Sequence, residues 1–186
     1  MSRILTIFDF DDTLIKSHRD SQVRITHADG STSSLPSDEY AEYVKKPGDV
    51  FDYSDFDKYP HGAVPIDTTF DAMRSALMSG HKVVVLTARG SWQPVKMYLE
   101  DNGFRSVNVI AVGDSNPQAK ARYVIDALKR GNYEMVEVYE DNLMNIRAIK
   151  KVVTDNGVTF KSVKVTSNGE HIIMERPMRK SKDWRF

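Results

Sequence analysis

The sequence predicts an α/β fold, a three-layer, Rossmann-like parallel sheet with helices on both faces, from three observations. An apolar run rich in branched residues, Ile4 to Phe8, ends abruptly in acids at Asp9, Asp11 and Asp12. From Phe70 to Val165, apolar stripes at helical spacing alternate with short strand-like runs at least four times. Those runs, such as Val83-Val-Val-Leu86, are apolar throughout rather than alternating, as expected of strands buried on both faces.

At 186 residues the chain is long enough for one well-buried core, so a single domain over residues 1–186 is expected, with an insertion at 18–62 and a basic tail at 176–186. The 26 basic and 26 acidic residues cancel, which gives no long-range field favouring nucleic acid or an anionic membrane. The absence of cysteine excludes disulfides, thiolate zinc sites and cysteine nucleophiles. No apolar run approaches the roughly 20 residues that span a bilayer, and no secretory leader is visible, so a soluble cytoplasmic protein without a membrane partner is expected.

In chain order, the first strand carries Asp9 and Asp11 at its tip. Ala28-Asp29-Gly30-Ser31 lies between two strand-like segments and reads as a hairpin turn. Pro36 to Val44 reads as a short helix capped by Ser37 or Asp38, with Tyr40 and Val44 on one face. Lys45 to Pro65 has no clear period. The insertion is expected to fold onto the body through Phe51, Tyr53, Phe56 and Tyr59. Its acids Asp49, Asp52, Asp55 and Asp57 lack calcium-loop spacing and read as a solvated face or as caps. None of the five histidines is spaced as a metal pair.

Phe70, Met73 and Leu77 mark a helix closed by Gly80, and the strand Lys82 to Arg89 follows. Ser91 is expected to cap a helix carrying Val95, Tyr98 and Leu99, which Gly103 ends. Val107 to Val112 is a strand. Asn116-Pro117 opens a helix with Ala121, Val124, Ile125 and Leu128 on one face, stopped by Gly131. Met135 to Tyr139, a helix stripe at Leu143, Ile146, Ile149 and Val153, and Val158 to Val165 complete the alternation. Ser167-Asn-Gly-Glu170 turns into a last strand, His171 to Glu175.

Successive strand side chains point to opposite faces, so Asp9 and Asp11 leave on the same side with Phe10 turned away. Two adjacent carboxylates repel unless a cation or proton lies between them. A divalent metal would relieve that repulsion and leave one oxygen for nucleophilic attack, whereas an acidic helix-capping turn is the plainer alternative. In open parallel sheets, ligands bind beyond the carboxyl ends of the strands. The later tips offer Thr87 with Arg89, then Gly113-Asp114-Ser115, then Glu140-Asp141-Asn142. Asp114 reads as a loop acid and Lys129 as a dipole-complementing helix terminus, while Lys120 lies nearer the tips. Thr87 taken alone is an ordinary strand-end hydroxyl, and Arg89 is either a surface ion pair or a ligand for a second phosphate.

Asp9-x-Asp11-x-Thr13, Leu86-Thr87-Ala88-Arg89, the helical Lys120 and Tyr139-Glu140-Asp141-Asn142 occur in the order that resembles the signatures of the haloacid dehalogenase superfamily. The chain is also similar to compact phage-encoded members reading Leu-Thr-Ala-Arg-Gly. The resemblance implies a magnesium-dependent phosphomonoester hydrolase in which Asp9 is the nucleophile and Asp11 the acid and base. It implies magnesium on Asp9, the Asp11 carbonyl and Asp141, with substrate contacts from Thr13, Thr87, Ala88, Arg89 and Lys120. Glu140 and Asn145 depart from the commoner pattern. Asp11 argues against dehalogenation, where no alkoxide leaves. A nucleotide, a nucleic-acid end and a small phosphorylated metabolite all fit as substrate, and a non-catalytic binding module is the rival.

Overall fold

The computed structural model describes residues 3–17 and 21–174. The basic tail at 176–186 and the start of the insertion at 18–20 lie outside the described residues. The chain runs β1 (Ile4–Phe8), β2 (Ile15–Lys16), β3 (Gln22–Thr26), β4 (Thr32–Pro36), α1 (Ser37–Ala41), β5 (Val50–Asp52), a 3₁₀ turn (Ser54–Asp57), β6 (Val64–Pro65), α2 (Asp67–Met78) and β7 (Lys82–Thr87). It continues through α3 (Gln93–Asp101), β8 (Asn108–Ala111), α4 (Pro117–Arg130), β9 (Met135–Glu140), α5 (Leu143–Asp155), β10 (Thr159–Val165) and β11 (His171–Ile173).

The central sheet has the order β11-β10-β9-β1-β7-β8. Its pairings are parallel except for β11, which returns antiparallel along β10. Alternation along the strands divides the core. Phe8, Phe10, Val83 and Val85 face α2 and α3 through Met73, Val95 and Leu99. Leu5, Ile7, Val84, Leu86, Val136 and Val138 face α4 and α5 through Val124, Ile146 and Ile149. Fully buried side chains of this size each contribute about 1.5–3 kcal/mol. The two layers together therefore hold the strand tips as a rigid platform.

The insertion forms its own three-stranded antiparallel sheet, β4-β3-β5, around Val23, Ile25 and Phe56. Of the four aromatic side chains expected to tie it to the body, Tyr59 packs on the main core, whereas Phe51 belongs to the insertion's own cluster. Three local expectations fail. Pro36 precedes α1, with no side-chain cap, because the Ser37 hydroxyl donates to Asp12 instead. Val44 lies beyond that helix and is 80% exposed. Trp92 rather than Ser91 precedes α3, where Pro94 in the first turn supplies the helical φ without a cap. By contrast, Asn116 caps α4, its Oδ1 accepting from the Gln118 N–H at 2.9 Å. Among the described residues no helix is long and apolar enough to cross a membrane.

Candidate active site

From β1 the chain moves outward to β7 and β8, then returns to the other flank of β1 for β9 and β10. The strand order thus reverses between β1 and β9, where open α/β sheets form their ligand crevice. Asp9 extends the ladder by one residue, its N–H donating to the Tyr139 carbonyl at 3.0 Å. Glu140 and Asp141 emerge beside it from β9. Oxygens of Asp9, Glu140 and Asp141 all lie within 4.8 Å of one another.

Lys120 enters this cluster from the first turns of α4. Its Nζ is 2.7 Å from Asp9 Oδ1 and 2.7 Å from Glu140 Oε2, and the residue is 3% exposed. Glu140 is fully committed, since its other oxygen accepts from the Asn142 N–H. The sequence departure at Glu140 is thereby explained: it is a buried partner that fixes the lysine. Lys129 is exposed in the last turn of α4.

Three carboxylates against one ammonium leave net negative charge. Burial, followed by the Glu140 carboxylate, pushes Asp9 well above the usual carboxylate range, although Lys120 opposes the shift. Burial and then Glu140 and Asp9 raise Asp141 likewise. Burial also works against ionised Glu140, but Lys120 together with hydrogen bonds from Asp141 and the Asn142 N–H holds Glu140 low. Such a cluster takes up either protons or a hard cation.

Asp11 belongs to a second charge system. Arg89 donates from Nη2 to Asp11 Oδ1 at 2.7 Å and from Nε to Oδ2 at 2.8 Å, a bidentate fork. The Ser17 hydroxyl adds a 2.7 Å bond to Oδ1. Burial pushes Asp11 up, yet the Arg89 guanidinium, helped by the Ser17 hydroxyl and Lys120, more than offsets it, so the carboxyl sits below its ordinary value. The turn that delivers it is tight: the N–H groups of Leu14 and Ile15 both donate to the Phe10 carbonyl, and Asp12 adopts φ 58°. Asp tolerates that left-handed conformation better than most side chains.

Arg89 is therefore neither a surface ion pair nor open to a second phosphate, being 4% exposed with its fork occupied. Its Nη1 donates to the Phe56 carbonyl at 2.9 Å and to that of Lys58 at 3.4 Å. Its guanidinium also lies over the Phe10 and Phe56 rings. Thr87 is buried on the tip of β7, its Oγ1 accepting from the Arg89 N–H at 3.2 Å, and Ala88 follows, lining an open cleft with Asp11 and Arg89. Thr13 is buried with its hydroxyl 3.5 Å from Asp141 Oδ1. Asn145 is buried in α5 near the end of β9. Asp114 stands apart from the cluster and closes its own loop by accepting from the Asn116 N–H.

The insertion's acids are not one solvated face. Asp49 binds His27 and Tyr43, and Asp55 is buried against Arg24 and Lys58. Spacing gave no sign of the Arg89–Asp11 fork, because it joins the tips of two neighbouring strands 78 residues apart in sequence, or of Ser17, which reaches Asp11 only through the turn after β1.

No protein-family model and no curated protein matches the chain. Among solved structures, it is similar to the C-terminal domain of a hydrogenase from Pyrococcus furiosus, at 13% identity and a TM-score of 0.40 over 87% of this chain and 89% of that one. That likeness is too slight to carry fold or function across.

Proposed function

We propose that this chain is a magnesium-dependent phosphomonoester hydrolase with a Rossmann-like core of the haloacid dehalogenase type, working through an aspartyl-phosphate. The observation that carries the reading is the division of the two first-strand acids between different cations. Asp9 contacts Lys120 at 2.7 Å within a carboxylate cluster, and Asp11 contacts Arg89 at 2.7 Å outside it. Two acids in distinct environments suit two chemical tasks.

The donor set fits a hard divalent cation, because Asp9 and Asp141 bring close, mutually repelling oxygens whose proton affinities burial has raised. Asp9, Asp141 and the backbone carbonyl of Asp11 would hold magnesium, with Glu140 reaching it only indirectly because Lys120 and the Asn142 N–H occupy its oxygens. When bound, the ion supplies charge neutralisation at the phosphoryl oxygens.

The carboxylate of Asp9 attacks phosphorus, a bond forms from its oxygen, and the bond from phosphorus to the alcohol oxygen breaks. Lys120 offsets the negative charge gathered there. Asp11 gives its proton to the departing alkoxide, then takes one from the water that attacks the aspartyl-phosphate, releasing Asp9 and inorganic phosphate. Arg89 favours ionised Asp11, which suits the second step. For the first, an incoming phosphate dianion raises the proton affinity of Asp11 by like-charge repulsion. In this reading Thr87 and the Ala88 backbone hold phosphate oxygens.

A panel of phosphomonoesters assayed with magnesium and with chelator tests this reading. Magnesium-dependent release of phosphate is expected. A folded protein inactive on the whole panel would leave the non-catalytic binding module as the better account.

A further inference from the structure

A cleft of about 570 Å³ opens over Asp11, Ala88 and Arg89, between the insertion and the tips of β7 and β8. Its walls differ in kind from the carboxylate cluster. Tyr40, Tyr53 and Phe56 line it from the insertion. The Tyr40 and Tyr53 rings stand edge to face at 5.7 Å with their hydroxyls hydrogen-bonded to each other, so each fixes the other. Phe56 is buried, with the Arg89 guanidinium 5.4 Å from its ring centre. Held aromatic walls favour a flat, stacking partner over a flexible polyol.

The charges of the cleft narrow the choice. Asp57 and Asp114 line it. A side chain at Gly90 would meet Asp57 Oδ1 at 3.0 Å, so the glycine lets that acid sit against the floor. Of the two cations, Arg89 is spent on Asp11, and Lys45 lies over the Tyr40 and Phe51 rings at 5.7 and 5.1 Å. Two acids facing one lysine disfavour a second phosphate and accept hydrogen bonds from N–H groups.

We propose that this cleft receives an uncharged heteroaromatic ring bearing N–H donors, which makes nucleoside monophosphates the preferred substrates over sugar phosphates and nucleic-acid ends. The proposal rests on the phosphomonoester reading above for the position of the phosphate. The ring-binding surface itself is independent of catalysis.

The test is calorimetric titration of the protein in chelator, where no magnesium supports turnover, with adenosine and cytidine 5′-monophosphates, ribose 5-phosphate and a 5′-phosphorylated trinucleotide. The mononucleotides are expected to bind roughly five- to a hundredfold tighter than ribose 5-phosphate, the range that base–aromatic stacking supplies. Tyr53→Ala should collapse that ratio, and Tyr53→Phe, which keeps the ring, should preserve it. Tyr53 is 39% exposed, and thermal unfolding of the Tyr53→Ala protein checks that the fold survives its truncation. Equal affinities for mononucleotide and ribose 5-phosphate, tighter binding of the trinucleotide, or a ratio indifferent to Tyr53→Ala would overturn the proposal. Wild-type turnover is scored separately: a preserved ratio in a protein that cleaves no phosphomonoester refutes the hydrolase reading and upholds the cleft.

Discussion

The Arg89 guanidinium grips Asp11 through two parallel hydrogen bonds of 2.7 and 2.8 Å, and the same group reaches the Phe56 carbonyl of the insertion at 2.9 Å. One side chain thus fastens the acid of the first strand to the element that covers it. The fork is planar and bidentate, a geometry that lysine cannot reproduce.

Replacing Arg89 tests that linkage. Arg89→Ala strands a largely buried carboxylate and two carbonyl contacts, and breaking a buried pair costs about 3–5 kcal/mol. For a chain of this size that corresponds to a fall in melting temperature of roughly 6–20 °C. Arg89→Lys should recover only part of it. Thermal unfolding of either variant within about 1 °C of wild type would show that the fork is not structural.

The sheet could be read from the sequence because its signals are local. Buried strands, helical stripes and stop glycines at 80, 103 and 131 are properties of a few neighbouring residues. Asp9, Lys120 and Asp141 were legible for the same reason, as each stands at the end of a regular element that faces the crevice. The insertion was not. Its acids looked solvated, yet Asp55 is buried between Arg24 and Lys58, a pairing of residues up to 31 apart in sequence. The caps at Ser37 and Ser91 failed because Ser37 found a tertiary partner in Asp12 and Pro94 made a cap at Ser91 dispensable. Long-range partners of that kind leave no periodicity.

Metal binding should discriminate the acids. Asp141→Asn is expected to abolish magnesium binding in calorimetric titration, and Asp114→Asn to leave it unchanged. Glu140→Gln should weaken affinity by about 10- to 100-fold, as loss of an outer partner does. Loss of binding confined to Asp114→Asn would reverse the assignment of the strand tips.

Proton linkage gives a signed prediction. Asp9 and Asp141 have raised proton affinities in the fold, chiefly from burial, with Asp141 pushed up to about 10. Between their unfolded and folded pKa values the native state binds more protons than the unfolded one, so stability falls as pH rises. His171, lowered by burial, acts only below its ordinary value of 6.5. In chelator, stability should therefore decline from pH 7 to pH 9, by up to about 1.4 kcal/mol per pH unit from Asp141. Magnesium should flatten the slope and bind more tightly as pH rises. A chelated protein that gains stability over this interval would contradict the account of the cluster.

The assignment of nucleophile to Asp9 and acid and base to Asp11 is tested most directly by intact mass of acid-quenched protein after mixing with magnesium and an activated aryl phosphate. Such a leaving group needs little of the roughly 10²- to 10⁴-fold help a general acid gives, so Asp11→Asn should still phosphorylate Asp9. Breakdown of the intermediate needs a base for water and should slow sharply. The Asp11→Asn protein is predicted to accumulate one phosphoryl group, and the Asp9→Asn and Asp9→Asn/Asp11→Asn proteins none. A phosphoryl adduct on Asp9→Asn, or Asp11→Asn that turns over aryl and alkyl phosphates with equally small losses and traps nothing, would contradict the mechanism.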